Sequence, residues 1–429
     1  MGDVGLPSGR LGRLIRLAKL GASTGASLAL SDDGARAAGI AAEVLGEMRG
    51  LAAKVGQMAS YVDGMVPEGH RPAYERALQA LQANAPSSSY ASVKETIESE
   101  LGGPVDRLFT SFEEKPFASA SIGQVHRAKL EDGRAVAVKV QHPGIDKAVG
   151  ADLANAGVVT SMLSTLGPNS LGVDGIFSEI RARFTEELDY VAEAKSQERF
   201  RSFHADDGAI VVPAVVKERS ARRVITTEMI DGESLDEAAT RPESERRAYA
   251  EVLWRFVFRS ILVHRSFNAD PHPGNYLFLP EGRVAFFDYG CVQPISAAHN
   301  RAGVSLHRAA LDRDEAAFRR ATAGFLETKG GAYEDAVCAY IRTCFEPLFQ
   351  PSIHITRPYV ASLVSGIREL KRFAFQKRSG FVQMRPDMLF MNRLQFGFYS
   401  VLARLDVDVS YASIEEEILT NAGLRQTGP

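Results

Sequence analysis

Apolar and polar positions follow three successive patterns along this chain of 429 residues. From Asp32 to Ala85, apolar residues recur at the three- and four-residue spacing of a helix, and residues 92–101 predict a further helix that ends at a Gly-Gly-Pro stop. From Pro116 onward, alternation typical of strands appears. From about Ala297 helical spacing dominates. The chain is therefore predicted to combine a helical start, a β-rich middle and a helical end.

Two β-hairpins are predicted from strand-forming runs that are joined by turn residues. Residues 122–130 and 134–142 flank the turn Glu-Asp-Gly, and residues 276–278 and 283–287 flank Leu-Pro-Glu-Gly. Two more strands are predicted within residues 209–235. Apart from the second hairpin, everything after this region is predicted to be helical.

Composition limits the classes of function that the chain can have. At 429 residues and 45% hydrophobic, the chain can bury a large core, and its length favours two or more lobes. Its 50 basic residues face 53 acidic ones, a net charge of −3, so nothing suggests a nucleic-acid partner. Three cysteines form an odd set with no disulfide framework, which favours a reducing compartment. The apolar runs are too short for a membrane-spanning helix.

Residues 1–31 form a basic amphipathic segment. Arginine or lysine lies beside leucine through Arg-Leu-Gly-Arg-Leu-Ile-Arg-Leu-Ala-Lys-Leu. This pattern is typical of a helix on a membrane surface and of an organelle presequence, and a helix docked on its own protein is an equal alternative. The expected location is the cytoplasm. Any membrane contact is expected to be peripheral, at the inner membrane, and on the matrix side if the protein is mitochondrial.

The stretch from Phe267 to Cys291 carries the strongest chemical signal. Asp270 precedes Asn275 by five residues, a hairpin follows, and Asp288 opens an Asp-Tyr-Gly sequence. Because a tight hairpin brings its ends together, Asn275 and Asp288 should meet at one edge. This is the layout of a kinase catalytic and metal-binding loop, with Asp270 as the base and the other two as Mg²⁺ ligands. The alternative, a surface hairpin with capping Asp residues, is disfavoured by the combined spacing.

The other parts of a phosphoryl-transfer site are predicted in kinase order. Lys139 ends Val-Ala-Val-Lys, the strand on which kinases mount their phosphate-binding lysine, and Glu193 of a long helical stretch would orient it. Glu228 and Met229 resemble the connection between kinase lobes, where backbone groups hold the adenine. The first hairpin is entered through small residues that let a backbone approach a ligand: Ala118, Ser119, Ala120 and Ser121.

In combination these motifs resemble the UbiB/AarF family of atypical kinases, which includes the mitochondrial ADCK proteins tied to coenzyme Q. Lys54-Val55-Gly56-Gln57 matches the family's Lys-x-Gly-Gln motif, and PFASASIGQVH matches its alanine-rich loop. Glu187-Leu188-Asp189 matches its Glu-x-Asp motif, and Glu193 falls at the helix glutamate. NADPHPGN and Asp288-Tyr289-Gly290 complete the set. The resemblance covers roughly residues 10–300.

The resemblance implies an α+β, kinase-like fold of two lobes with an N-terminal helical extension over the active site. Lys54 of the extension would reach the Glu187/Asp189 pair, and the extension would obstruct an extended peptide. The implied segments are the amphipathic start at 1–31, the extension at 32–112, a β-rich N-lobe at 113–232 and a helical C-lobe at 233–429.

The function implied by the resemblance is that of an ATP-binding, Mg²⁺-dependent atypical kinase or ATPase. It would hydrolyse ATP or phosphorylate a small lipid-like molecule, in support of ubiquinone biosynthesis. Two alternatives stay open: a protein serine/threonine kinase, and a nucleotide-gated scaffold of a biosynthetic complex without productive transfer.

Four features depart from related patterns. The loop reads Ala-Ser-Ala-Ser where some members have three alanines, which leaves the nucleotide preference open. Asn268-Ala269 stands where protein kinases have His-Arg, and Tyr289 replaces the usual Phe. The paired C-terminal spanning helices of some bacterial members have no counterpart in this sequence. His272, between two prolines, is expected to be structural.

Overall fold

The structure, a computed structural model, describes four stretches of the chain: residues 88–119, 122–146, 188–373 and 386–425. Several predictions from the sequence fall outside these stretches. They concern the amphipathic segment, the extension before residue 88, and the individual residues Lys54, Ala120, Ser121 and Glu187.

The described residues divide into two compact units. The first contains the described residues up to Leu188 together with Ala221–Val224, and the second contains Asp189–Ser220 and the described residues from Ile225 onward.

The first unit begins with helix α1, which has a signal at each end. α1 spans Tyr90–Leu101, and the hydroxyl of Ser89 accepts a hydrogen bond from the backbone N–H of Ser92 at its start. It ends at Gly102, whose φ of +73° is the left-handed conformation that glycine adopts without strain. A short helix α2 follows at Val105–Leu108. The helix predicted from residue 92 is therefore confirmed and begins two residues earlier.

An antiparallel sheet makes up the rest of the first unit. β3 (Gly123–Lys129) pairs with β4 (Ala135–Gln141), as the first predicted hairpin requires. Two short strands, β1 (Ser111–Phe112) and β2 (Ala118–Ser119), both pair with β3. The segment 221–224 is joined to β4 by a hydrogen bond of 3.0 Å from the Gln141 N–H to the Arg223 carbonyl.

The alternation in β4 separates a buried face from a more accessible one. Val136, Val138 and Val140 are fully buried, and α1 packs against this strand. Ala137 and Lys139 point to the other face and are partly exposed. The β-branched valines of Val-Ala-Val-Lys-Val thus form the core, and the alternation places Lys139 on the opposite side.

The second unit combines short strands with a set of helices. Its strands are β5 (Ile210–Val211), β6 (Val224–Glu228, of which Val224 belongs to the first unit), β7 (Ser266–Asn268), β8 (Tyr276–Leu279), β9 (Arg283–Phe286), β10 (Val292–Pro294), β11 (Ile353–His354) and β12 (Asp408–Val409). Its helices are α3 (Tyr190–Phe203), α4 (Leu235–Ala238), α5 (Glu243–Leu262), α6 (Ala297–Leu311), α7 (Glu315–Leu326), α8 (Ala332–Cys344), α9 (Glu346–Phe349), α10 (Arg357–Arg372), α11 (Pro386–Leu405) and α12 (Tyr411–Asn421).

Three small sheets lie among these helices. The second predicted hairpin is confirmed as β8 and β9, and β5 adds to β9 in parallel. β7 pairs with β10, and β11 pairs with β12, both antiparallel. The prediction that only the hairpin would interrupt the helices is wrong at these two pairs. Strands of two or three residues are too short to show a period in the sequence.

The core of the second unit is built around α5. This helix buries ten side chains along its length, and among them Trp254 is only 1% exposed. Its indole ring lies 4.1 Å, centroid to centroid, from the ring of Tyr411 in α12. The three cysteines of the chain are buried and form no disulfide bond. None of the helices in the described stretches is long and apolar enough to cross a membrane.

Candidate active site

The loop that carries Asp270 is held by backbone hydrogen bonds on both sides. After β7, the Ala269 N–H donates to the Cys291 carbonyl over 2.8 Å. A 3₁₀ turn at Pro273–Asn275 then reverses the chain, and the imidazole Nδ1 of His272 accepts from the Gly274 N–H at 3.1 Å. His272 therefore caps the turn, which agrees with its predicted structural role.

The hairpin brings the two metal-ligand candidates to one edge. Tyr276 pairs with Phe286 in the β8–β9 register, and the Phe287 N–H donates to the Asn275 carbonyl at 2.9 Å. Asn275 and Asp288 thus directly flank the paired ends of the hairpin. The side-chain amide of Asn275 donates to the Asp270 carbonyl at 3.0 Å, so it also ties the hairpin to the Asp270 loop.

Asn268 connects Asp270 to Asp288. Its side-chain amide donates to the Asp288 carbonyl at 2.7 Å, and its side-chain oxygen accepts from the Asp270 N–H at 3.1 Å. One partly buried side chain therefore fixes the backbone at both acidic residues. In the sequence, Asn268 stands out only as a replacement for a kinase histidine. A polar residue at the end of a strand, two positions before a candidate base, was the signal for a positioning role.

Asp288 adopts a backbone conformation that is uncommon for its residue type. Its φ is +59°, in the left-handed region, and its carboxylate Oδ1 accepts from the Gly290 N–H at 3.2 Å. Short polar residues are the non-glycine residues most often found in this region, because their side chains bond the local backbone. This conformation follows directly after the end of β9 and Phe287, so the chain does not continue as a strand at Asp-Tyr-Gly. Such outliers are concentrated at functional sites.

Tyr289 joins this turn to helix α3. Its side chain is 1% exposed, and its ring lies 5.1 Å, centroid to centroid, from that of Phe200 in α3. The phenol hydroxyl donates to the Phe286 carbonyl at 3.3 Å, and burial raises its pKa well above the usual value. The hydroxyl that distinguishes Tyr289 from phenylalanine is thus accommodated without disturbing an aromatic core contact.

Helix α3 begins later than the sequence suggested. Asp189 is its N-cap, with φ −118° and ψ 91°, and its carboxylate accepts from the N–H groups of Val191 and Ala192. The long helical stretch that was predicted to carry Glu193 therefore does not continue through Asp189, because the helix starts at Tyr190. Glu193 lies in the first turn and is buried, 7% exposed.

Glu228, at the end of β6, is connected to α3 through hydrogen bonds to the segment 213–215. Its carboxylate accepts from the Ala214 N–H at 3.0 Å, and its own N–H donates to the Ala214 carbonyl at 2.9 Å. The next N–H, of Val215, donates to Glu198 in α3, and Gln197 donates to the Pro213 carbonyl. Met229 follows immediately, outside any helix or strand. The side chain of Glu228 thus orders the backbone before this connection.

The sheet of the first unit places the described part of the alanine-rich loop on the same face as Lys139. Ala118 is opposite Val125 in the β2–β3 pair, and Val125 is opposite Lys139 in the β3–β4 pair. Directly opposed residues share a face, so Ala118 and Lys139 lie on the same side of this sheet. Ser119, the next residue of β2, is exposed like Ala118.

The residues at the hairpin edge fit a magnesium ion. Asn275 uses its amide nitrogen on Asp270, which leaves its carbonyl oxygen as the ligand atom, and Asp288 supplies a carboxylate. The described residues include no group of three or more His, Cys, Asp or Glu side chains suited to a metal. A sparse set of oxygen donors agrees with Mg²⁺, which is usually held by one or two carboxylates together with substrate phosphates.

The sites predicted from the sequence therefore fall into two sets, one in each unit. The second unit brings together Asp270, Asn275 and Asp288, and the Phe200–Tyr289 ring contact joins helix α3, which carries Glu193, to the turn after Asp288. The first unit aligns Lys139 with the loop at Ala118.

A protein-family model matches these motifs. Residues 80–322 match the model described as the ABC1 atypical kinase-like domain. This match covers more than half of the chain and includes every described candidate residue named above.

Curated relatives carry related names. The chain is 32% identical over 245 residues to atypical kinase COQ8B, mitochondrial, of Danio rerio, covering 57% of this chain and 39% of that protein. It is 32% identical over 276 residues to atypical kinase coq-8, mitochondrial, of Caenorhabditis elegans, covering 62% and 36%. It is also 32% identical over 267 residues to the chloroplastic protein ACTIVITY OF BC1 COMPLEX KINASE 7 of Arabidopsis thaliana, covering 61% and 37%. The matched region spans well under half of these relatives.

A solved structure shares the fold along nearly the whole chain. Rv3197 of Mycobacterium tuberculosis, solved in complex with erythromycin, superposes with a TM-score of 0.63 and 29% identity. The match covers 88% of this chain and 94% of that one. The predicted kinase-like α+β fold is confirmed by this likeness together with the family match. The chain belongs to the family of ABC1 atypical kinase-like domains, the UbiB-type atypical kinases that its motifs resembled.

Proposed function

We propose that this protein binds ATP with Mg²⁺ and hydrolyses it, or transfers its γ-phosphoryl group to a small lipid-like molecule, in support of ubiquinone biosynthesis. The observation that carries the proposal is the cluster of Asp270, Asn275 and Asp288, held together by the side-chain amides of Asn268 and Asn275. Phosphoryl transfer needs positioned charge rather than covalent chemistry, and this cluster supplies positioned oxygen ligands.

The residues of the second unit have separate roles in the proposed reaction. Asn275 and Asp288 would hold Mg²⁺, which when bound neutralises charge on the phosphate oxygens. Asp270 would accept a proton from the attacking hydroxyl or water, or orient it. Asn268 acts through both acidic residues by fixing their backbone, and is a positioning residue rather than a catalytic one.

The remaining residues of the nucleotide site are proposed to come from both units. Lys139 is proposed to contact the phosphates from the accessible face of β4, beside the alanine-rich loop at Ala118 to Ser121. Glu193 is proposed to orient Lys139, and its burial favours an ionic partner over solvent. The backbone at Glu228 and Met229 is proposed to hold the adenine, because the hydrogen bonds to Ala214 already order it.

The proposed acceptor is a small molecule. The mitochondrial relatives are named COQ8B and coq-8, and a structural relative was solved with erythromycin, an organic compound rather than a peptide. These names support a small organic acceptor rather than a protein side chain.

As part of the same proposal, Lys54 of the extension would pair with Glu187 and Asp189, and residues 1–31 would contact a membrane surface.

The test is Mg²⁺-nucleotide binding and turnover by the purified full chain. Asp288→Asn is the sharpest variant, because asparagine tolerates the left-handed φ of +59° and only the charge is removed. We expect binding measured by calorimetry and phosphate release both to fall strongly. Asp314→Asn is the matched control, since Asp314 caps α7 and asparagine caps equally well.

Three outcomes would decide the proposal. If the wild-type chain binds no Mg²⁺-nucleotide, or if Asp288→Asn behaves like Asp314→Asn, the proposed site is wrong. If phosphate release rises with anionic liposomes that contain a phenolic lipid precursor, the proposed small lipid-like acceptor and membrane contact are supported. If the intact chain instead phosphorylates a peptide efficiently, the small-molecule assignment is wrong.

A further inference from the structure

A second cavity lies among the helices of the second unit, and the reaction proposed above does not use it. Its volume is about 150 Å³. Most of its wall is hydrocarbon, from α5, α6, α7, α8, α9 and α11; examples are Ile261, Leu306, Phe325, Leu348 and Phe398. Cavities of this size with apolar walls admit a single benzene-sized ring. The volume therefore limits an occupant to a compact apolar molecule.

A buried acid and a histidine interrupt this apolar wall. Glu415 of α12 is fully buried, and its Oε1 accepts from the indole N–H of Trp254 at 3.1 Å. Its Oε2 lies 2.5 Å from Nδ1 of His307 in α6, and His307 is 7% exposed. Both oxygens of the carboxyl group are thus engaged. A carboxylate only accepts, so a hydrogen bond to the carboxylate form of Glu415 requires Nδ1 of the imidazole to donate.

The proton on Nδ1 determines what the other imidazole nitrogen can do. In the neutral ring, Nε2 carries a lone pair and accepts hydrogen bonds. Among the residues that the structure describes, no group hydrogen-bonds His307 at Nε2. The ring is held in place by Phe258 and Phe345, whose centroids lie 5.6 Å and 4.8 Å away. His307 lines the cavity, and in its neutral form Nε2 is the acceptor that this side chain can offer to a ligand there.

Packing alone does not account for this arrangement. A buried carboxylate is costly even when paired, and apolar residues of similar volume are often as stable or more so. Binding sites for small molecules typically combine an apolar cavity with a few placed polar groups. The Glu415–His307 pair in the wall of an apolar cavity has this form.

We propose that this cavity binds a compact, ring-sized apolar molecule with one hydroxyl group, which donates a hydrogen bond to Nε2 of His307. The site is separate from the metal-ligand candidates. The small pocket beneath Asp270 shares only Val257 and Leu394 with this cavity. The proposal therefore stands whether or not the protein turns over ATP.

Fluorine NMR with three matched probes tests the proposal on the purified full chain. The probes are para-fluorobenzyl alcohol, which can donate, para-fluoroacetophenone, which can only accept, and para-fluorotoluene, which can do neither. We expect the alcohol to bind about fivefold more tightly than the toluene, because one ordinary hydrogen bond contributes about this much affinity. Equal affinity for alcohol and toluene would overturn the role of His307.

One variant fills the cavity without removing a contact. Gly303 of α6 lines it, and a Cβ there would meet only the ring of Phe325, at 4.0 Å. Gly303→Leu should abolish binding of all three probes while keeping thermal stability, because leucine is also a better helix former. Gly324→Leu, in α7 at an exposed position with nothing near its Cβ, is the control and should keep binding. Binding that survives Gly303→Leu would overturn the assignment to this cavity.

A second variant should change Nε2 of His307 from a hydrogen-bond acceptor into a donor. In Glu415→Gln, the amide oxygen still accepts from Trp254, and the amide nitrogen donates to Nδ1 of His307. The imidazole proton then moves to Nε2, which becomes a donor. We expect para-fluoroacetophenone to gain affinity over para-fluorotoluene only in this variant. An unchanged order of the three probes would show that the dyad does not select the ligand.

Discussion

The side-chain amide of Asn268 donates to the backbone carbonyl of Asp288 over 2.7 Å, while its oxygen accepts from the N–H of Asp270. Two acidic residues that are eighteen positions apart in the sequence are thus positioned by one amide. Asn268 ends β7, and β7 pairs with β10 just beyond Asp288. The geometry of the proposed metal site therefore depends on a short strand as well as on the hairpin.

Asn268→Ala should reduce turnover by about 10–100-fold, the usual effect of losing a group that orients metal ligands. Both hydrogen bonds disappear, so the Asp288 turn and the Asp270 loop lose their common anchor. Phosphate release and the apparent affinity for Mg²⁺ are the measurements. A positioning role predicts that added Mg²⁺ partly restores the rate.

Asn300→Ala is the matched control for this variant. The amide of Asn300 donates to the carbonyls of Ile261 and Leu262, both at 3.0 Å, at the end of α5. Its loss should cost a similar amount of stability and leave the Mg²⁺ dependence unchanged. Equal Mg²⁺ dependence in the two variants would mean that Asn268 has only a structural role.

The hairpin at the site was predictable from the sequence because it has strong local signals. Tyr-Leu-Phe and Arg-Val-Ala-Phe-Phe are rich in strand formers, and Leu-Pro-Glu-Gly is a turn. These signals are enough to place Asn275 beside Asp288. Alternation along Val-Ala-Val-Lys-Val likewise accounts for Lys139 lying on the accessible side of β4, opposite the buried valines.

Other features of the site depend on contacts that are distant in sequence. β7 and β10 are three residues long and gain their stability from pairing with each other, so no periodicity reveals them. The start of α3 was missed because Glu-Glu-Leu-Asp continues a helical composition. Only the hydrogen bonds from Val191 and Ala192 show that Asp189 is a cap. The cavity beside His307 is lined by seven helices and has no local signal in the sequence.

Asp189 is expected to contribute separately to stability and to activity. Because Asp189 is the N-cap of α3, its replacement by alanine should lower the free energy of unfolding by about 1 kcal/mol. Replacement by asparagine, which caps as well as aspartate, should lower it by only a few tenths of a kcal/mol. If its charge also serves the active site, as proposed, Asp189→Asn should lower turnover without lowering stability. Urea unfolding and phosphate release of both variants distinguish the roles. Full activity in Asp189→Asn would restrict the residue to capping.

Gly397 of α11 should be intolerant of a methyl group because of the Asp270 loop. A Cβ at this position would lie 2.4 Å from Cγ of Pro271, whose ring is rigid. Gly397→Ala should therefore cost about 1–3 kcal/mol of stability and weaken Mg²⁺-nucleotide binding. Gly324→Ala, in a helix with open space around it, should instead gain up to about 1 kcal/mol. Thermal unfolding and calorimetry measure both. If both substitutions change the stability in the same direction, the contact with Pro271 is not the cause of the effect at Gly397.

Buried His204 should make the stability of the second unit depend on pH. The side chain is 2% exposed, and burial, with a smaller contribution from Arg259, lowers its pKa to about 3. Ser260 already donates its hydroxyl proton to the Phe256 carbonyl, so Nε2 of His204 must donate to Ser260, over 2.9 Å. Nδ1 is buried and finds no hydrogen-bond partner in the described stretches. The ring is therefore neutral in the folded state.

Because the folded pKa of His204 is below its unfolded value, its contribution to stability is complete above about pH 6.5 and declines as pH falls toward about 3. The unfolding free energy should decrease by about 1.4 kcal/mol per pH unit from this group within that window. His204→Phe keeps the ring contact with Phe256 and should remove that part of the slope in urea titrations at several pH values. His354→Gln, at a partly exposed histidine paired with Asp406, is the control and should retain it. An unchanged slope in His204→Phe would mean that His204 is not the group that takes up the proton on unfolding.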